Sequence, residues 1–362
     1  MSAPQAAQGR LPGYQTLTPR DPVAHRALIF GCEGQDLGTA EAEFFCQADP
    51  LGFILFARNC DNPDQLSKLT AALRETVSRD DAPVLIDQEG GRVTRMKPPH
   101  WRQIPAAGRF GEMYENHPEK ALEAVHLNAR LIAHELLSVG VDVDCAPSLD
   151  LRLPGASEVI GDRAFSADVE TVVALGRAAA DGFLAGGVLP VIKHIPGHGR
   201  ALVDSHLALP VVQESLDVLK RTDFAPFCPL NALPLAMTAH IVYEAIDSQN
   251  PGTVSSTVVR EVIRDHIGFD GFLISDDLSM EALEGSIEER AARTLAAGAD
   301  AALHCNGKLD EMKRIADQAP ELKERSQTRW QRAREALPRQ VEVIDFEAGV
   351  AELDRLMTEA NL

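Results

Sequence analysis

Short apolar runs alternate along the chain with amphipathic segments, a pattern that predicts repeated βα units around a parallel sheet. Eight runs read as strands: residues 27–32, 52–57, 83–87, 141–146, 188–193, 235–240, 271–275 and 301–305. Helical periodicity fills much of the space between them, over 63–77, 119–138, 169–185, 255–267 and 280–297. Asn62 before Pro63 reads as a helix N-cap, and Gly140 and Gly298 follow helices in C-cap position. Eight strands with crossovers match the count of a closed (β/α)8 barrel of the TIM type. A doubly wound sheet fits less well, because no Gly-rich phosphate loop follows the first strand. The pattern divides the chain into an N-terminal extension of residues 1–26, a barrel of 27–310 and a charged helical tail of 311–362. The tail, with a helix expected over 321–336, is too short to own a second core.

In such a barrel, chemistry sits at the C-terminal ends of the strands, and here those ends are polar. The second closes on Arg58-Asn59, and the third on Asp87-Gln88-Glu89-Gly90-Gly91-Arg92 with Arg95 beyond. The fourth closes on Pro147-Ser148-Leu149-Asp150, and the fifth runs into Lys193-His194-Ile195-Pro196-Gly197-His198-Gly199 and then Asp204-Ser205-His206. The last three end at His240, Asp276-Asp277 and His304-Cys305-Asn306. Loops are polar in any protein, which explains each of these residues singly. So many carboxylates, imidazoles and guanidiniums directly after the last apolar residue point to an active-site rim.

A carboxylate at the end of the seventh strand suits a glycosidase nucleophile, a metal ligand or a helix N-cap. Neighbouring strand residues face opposite ways, so Asp276 is assigned the chemistry and Asp277 a structural role. Gly197 and Gly199 suggest that the loop after the fifth strand can be mobile. Asp204 and His206, two apart, share a side of an extended stretch. A carboxylate there would orient and protonate the ring, as a general acid requires, although a plain surface loop also fits that spacing.

These motifs together resemble glycoside hydrolase family 3, and within it the single-domain bacterial β-N-acetylhexosaminidases. The resemblance rests on Lys193 to Gly199, on Asp204-Ser205-His206, on Ile54 to Asn59, Asp87 to Arg92, Ile160 to Arg163 and Ser275 to Met280, and spans roughly residues 27–310. It implies Asp276 as nucleophile, His206 as acid/base and Asp204 as its partner. It also implies that Asp87, Arg95, Arg163, Lys193 and His194 hold the sugar. The implied activity is release of terminal N-acetylglucosamine from peptidoglycan fragments (N-acetylglucosamine β-1,4-linked to anhydro-N-acetylmuramic acid, with or without peptide) in cell-wall recycling. The route would be retaining double displacement, without metal or cofactor. Ile195 departs from the Phe common in the motif, and the tail lies outside the resemblance.

Composition narrows the partners. Acidic residues outnumber basic ones 54 to 35, for a net charge of −19, which argues against nucleic acid or anionic membrane as a partner. The cysteines (Cys32, Cys46, Cys60, Cys145, Cys228 and Cys305) are scattered, with no C-x-x-C pair, so neither a disulfide framework nor a structural zinc site is expected. No apolar leader stands out in residues 1–20, and a soluble cytoplasmic protein is expected, as a monomer or weak homo-oligomer acting on a small amino-sugar or muropeptide substrate. Three other readings remain. A phosphorylase is one, since an imidazole acid/base would not repel phosphate. A metal-dependent barrel hydrolase using His194, His198, His206 and Asp276 is another, and a non-catalytic sugar-binding protein is the third. If His206 is not the acid/base, Glu89 and His198 are the next candidates.

Overall fold

The computed structural model describes residues 25–155, 157–203 and 208–360. Eight parallel strands close into a barrel: β1 Arg26–Gly31, β2 Pro50–Leu55, β3 Val84–Ile86, β4 Val143–Asp144, β5 Leu189–Ile195, β6 Leu235–Thr238, β7 Phe272–Asp277 and β8 Ala301–His304. Each pairs with its sequence neighbours, and β8 closes on β1 through Leu28–Ala302, Ile29–Leu303 and Phe30–His304. All eight lie within a few residues of the runs read from the sequence. Nearly every strand residue is buried, because the barrel interior covers one face and helices the other.

The helices follow local signals where those exist. Asn62 caps α2 (Pro63–Thr76, after α1 at Thr39–Ala48) by accepting from Gln65 N. Beyond α3 (Ala107–Asn116) and α4 (Pro118–Ser138), Asp168 caps α5 (Val169–Ala185) by accepting from Thr171 N. The stretch expected as a helix over 255–267 winds with wider turns, Ile267 N donating to Val262 O, across Val258–His266. The helix expected over 280–297 starts later. Residues 280–285 form turns with Met280 and Leu283 buried, Gly285 takes φ +91°, and Ser286 opens the helix with Glu289 in a reciprocal capping box.

Leu309–Gln318 is helical and packs beside β1, so the expected boundary at 310 falls in the first turn of a helix. The chain beyond it wraps the barrel end opposite the functional loops. Ala27 N donates to Pro320 O, Leu322 N donates to His25 O, and the helix Glu324–Glu335 sets Trp330 against Phe272 with ring centroids 5.4 Å apart. The last helix, Phe346–Glu359, lies along α4, stacking Phe346 on His134. Among the described residues no helix is long and apolar enough to cross a membrane.

Candidate active site

At the C-terminal ends of the strands a cavity of about 290 Å³ opens, near the lower end of small-molecule sites. Asp87, Arg95, Arg163, Lys193, His194 and Asp276 all line it. Six of the eight expected site residues, drawn from positions 87 to 276, thus meet at one place. The other two, Asp204 and His206, lie outside the described residues.

One wall is a network of paired charges. Lys193, on β5 and 1% exposed, donates to Asp87 at 2.8 Å and pairs with Glu89 at 2.6 Å. Arg95 reaches the other Asp87 oxygen at 3.0 Å, and Arg163 grips Glu89 with two hydrogen bonds of 2.9 and 2.8 Å. Buried charges persist only when paired in this way. Burial alone would raise both carboxyls, but the cations prevail. Lys193 and Arg95 hold Asp87 well below the usual range, and Arg163 and Lys193 bring Glu89 to about 2. Glu89 is therefore ionised at neutral pH and has no proton to give, which removes it as a general acid. Gln88, between the two carboxylates, fixes the loop that carries Arg95, accepting from Arg95 N at 2.8 Å and Met96 N at 3.1 Å.

A second carboxylate was not assigned from the sequence. Asp150, in the loop after β4, is fully buried and accepts from His194 Nδ1 at 2.6 Å and from His198 N at 2.6 Å. Against the effect of burial, the His194 ring keeps Asp150 ionised, well below its ordinary value. The bond occupies His194 Nδ1, leaving Nε2 for a ligand. His198 is pushed down to about 4, first by burial and then by His194. It is a neutral ring at pH 7, with no proton to spare as a general acid. The only signal for Asp150 in the sequence was its place at a strand end.

The glycines of this loop are packed rather than free. A Cβ on Gly199 would lie 2.1 Å from Leu151 O, and one on Gly197, where φ is +143°, would lie 2.6 Å from Asp223 O. Close backbone approach, rather than mobility, accounts for both glycines.

On the opposite wall, β7 ends with the acidic pair. Asp277 accepts from Ser279 N, Ser279 Oγ and Cys305 N at 3.0, 2.5 and 3.1 Å, and so secures the turn into the next loop. Asp276 accepts from the Asp277 amide at 2.8 Å and lines the cavity. Among the described residues no group of three His, Cys, Asp or Glu could hold a metal ion.

Residues 38–337 match the glycosyl hydrolase family 3 N-terminal domain. The chain belongs to glycosyl hydrolase family 3. The matched span runs past the 27–310 of the sequence resemblance and takes in the helix Glu324–Glu335. A beta-hexosaminidase of Alkalilimnicola ehrlichii is 41% identical over 283 residues, 77% of this chain and 80% of its own. One of Thiobacillus denitrificans is 41% identical over 267 residues, 72% of this chain and 73% of its own. Among solved structures, NagZ from Neisseria gonorrhoeae in complex with N-trifluoroacetyl-D-glucosamine superposes with a TM-score of 0.83 and 31% identity, covering 92% of this chain and 99% of its own. A family 3 β-N-acetylglucosaminidase from Paenibacillus gives 0.80 and 29%, covering 91% and 66%.

Proposed function

We propose that this chain is a retaining exo-β-N-acetylglucosaminidase that trims N-acetylglucosamine from anhydro-N-acetylmuramic acid, with or without peptide, during peptidoglycan recycling in the cytoplasm. Its class is not in question: it is a glycoside hydrolase, a β-N-acetylhexosaminidase, by family and by its relatives. The finer reading rests chiefly on one observation, that Asp276 shares a small cavity with Asp87, Arg95, Arg163, Lys193 and His194. A pocket of about 290 Å³ suits a single terminal sugar. The N-trifluoroacetyl-D-glucosamine bound by the gonococcal relative supports an amino sugar as that ligand.

In this mechanism an Asp276 oxygen attacks the anomeric carbon as the glycosidic C–O bond breaks, and His206 gives its proton to the departing oxygen. Water then attacks the same carbon and gives its proton to His206, and the bond to Asp276 breaks. Two inversions give net retention. Asp204 orients the His206 ring. The charged wall exchanges hydrogen bonds with the sugar hydroxyls, Asp87 accepting and Arg163 and Lys193 donating. Product analysis on a purified disaccharide muropeptide, with and without phosphate, tests the reading. Free β-N-acetylglucosamine in both cases is expected. A sugar phosphate formed only with phosphate would mark a phosphorylase, and no turnover of this disaccharide would overturn the muropeptide reading of the substrate.

A further inference from the structure

The Asp276–Asp277 dipeptide is held at both ends by a directed chain of side chains from β6 and the loop after it. His240 Nε2 lies 2.9 Å from the Asp277 carbonyl oxygen, which only accepts, so Nε2 carries a proton. Burial holds the ring below its ordinary range, so Nδ1 is bare and accepts. Thr253 Oγ1 stands 2.7 Å from Nδ1. Its one proton has two acceptors in reach, Nδ1 and Ala239 O at 3.2 Å, and neither is Thr238. Thr253 Oγ1 then accepts from Thr238 Oγ1 at 2.7 Å, and Thr238 Oγ1 accepts from the Asp276 amide at 3.3 Å. With the Thr253 proton on Nδ1, donation runs from the Asp276 N–H through both hydroxyls to the imidazole and on to the Asp277 carbonyl. Thr238, His240 and Thr253 are each 0% exposed, so no solvent competes for these bonds.

We infer that Thr238, Thr253 and His240 are positioning residues that fix the backbone beneath Asp276, so that its carboxylate meets the anomeric carbon along one line of attack. None of the three lines the cavity, so they act through the nucleophile and leave substrate binding to the charged wall. The inference rests on the reading of Asp276 as nucleophile. An oriented reacting group is where small displacements reduce rate most: a misplacement of about 1 Å lowers it by about 100-fold.

Thr253→Val keeps the shape and removes the relay. It should lower kcat by about 10- to 100-fold with KM near wild type and the fold kept at a lowered melting temperature, and Thr253→Ser, which keeps the hydroxyl, should restore kcat. Combined with Thr238→Val, it should lose little more than either single variant, because links of one chain fail together. A 5-fluoro N-acetylglucosaminyl fluoride supplies the second readout. Wild type should be labelled on Asp276, and Thr253→Val on the same residue but more slowly. If wild type is labelled elsewhere, the nucleophile reading fails and the inference with it. If wild type is labelled on Asp276 and Thr253→Val at an equal rate, the inference alone fails. Should Thr253→Val not fold, Thr238→Val is scored in the same way. Loss of the fold in both would make the threonines structural and overturn the inference.

Discussion

Asp276 and Asp277 adjoin in sequence, yet their oxygens meet different partners. Both line the cavity, but Asp277 is committed to Ser279 and the Cys305 amide, whereas Asp276 accepts from the neighbouring Asp277 amide at this turn. Asp276→Ala is expected to abolish hydrolysis. Asp277→Ala should keep some activity in whatever protein folds, since the turn it loses lies beside the chemistry. A covalent label found on Asp277, or a product of inverted configuration, would reverse the assignment. Asp87 and Arg163 belong to the charged wall, where removing one member also leaves a buried opposite charge short of a partner. Asp87→Ala and Arg163→Ala should each lower kcat/KM by about 2 kcal/mol, roughly 30-fold, with the fold retained by circular dichroism. Near-wild-type kinetics would make the wall structural. Such roles are only half legible in a sequence. Asp87 and Lys193 announce themselves as charges at strand ends, and Arg163 only through the family resemblance. That Glu89 is clamped and Asp150 sits behind His194 depends on contacts 74 and 44 residues apart.

The loop leaving β5 shows how far pattern carries at the level of an element. Its strand was readable because a buried parallel strand is an unbroken apolar run. Its glycines were readable as special but not as packed, since the Leu151 and Asp223 carbonyls that crowd them lie far along the chain. The helices α1 and Leu309–Gln318 went unread, and neither has a side-chain cap to mark its start, their N-cap residues being Gly38 and Lys308, although α4 was read without one. The same loop leads on to Asp204 and His206, and its chemistry can be tested by leaving group. A sugar alkoxide needs a proton to depart, whereas a dinitrophenolate leaves almost unaided. His206→Ala should therefore cripple turnover of the natural disaccharide and only mildly slow glycosylation by the dinitrophenyl glycoside. Azide should rescue the second step, and Asp204→Ala should follow the pattern weakly. Equal losses on both substrates would take His206 out of the acid/base role.

At the scale of the whole molecule the charged tail acquires a physical part that its sequence did not reveal. Asp300, just before β8 and 3% exposed, accepts from Arg329 at 3.0 Å, Ser326 at 2.6 Å, Arg264 at 3.0 Å and Leu273 N at 2.9 Å. We propose that the tail folds with the barrel as one unit. Arg329→Ala, which leaves the buried Asp300 short of a partner, should lower stability by about 3 kcal/mol while sparing the kcat of the folded fraction. An unchanged denaturant midpoint would rule this out. Stability should also depend on pH through one carboxyl inside the barrel. Asp144, at the end of β4, is 0% exposed, and its Oδ1 accepts from Gln88 N at 3.0 Å while Oδ2 has no partner among the described residues. Burial raises it from 3.8 to about 8, the Gln88 bond only partly opposing. The unfolded chain releases this proton near pH 4, and the fold keeps it up to about pH 8. Between those values the folded protein binds one proton more than the unfolded, so stability falls as pH rises. The contribution is complete below pH 4 and is lost on passing through about pH 8. Asp144→Asn keeps the neutral shape and cannot ionise. Its melting temperature should gain on that of wild type steadily from about pH 4 to 8 and run parallel above, and its activity at pH 7 should survive. A difference between the two proteins that stays constant across that range would show that Asp144 does not carry the proton.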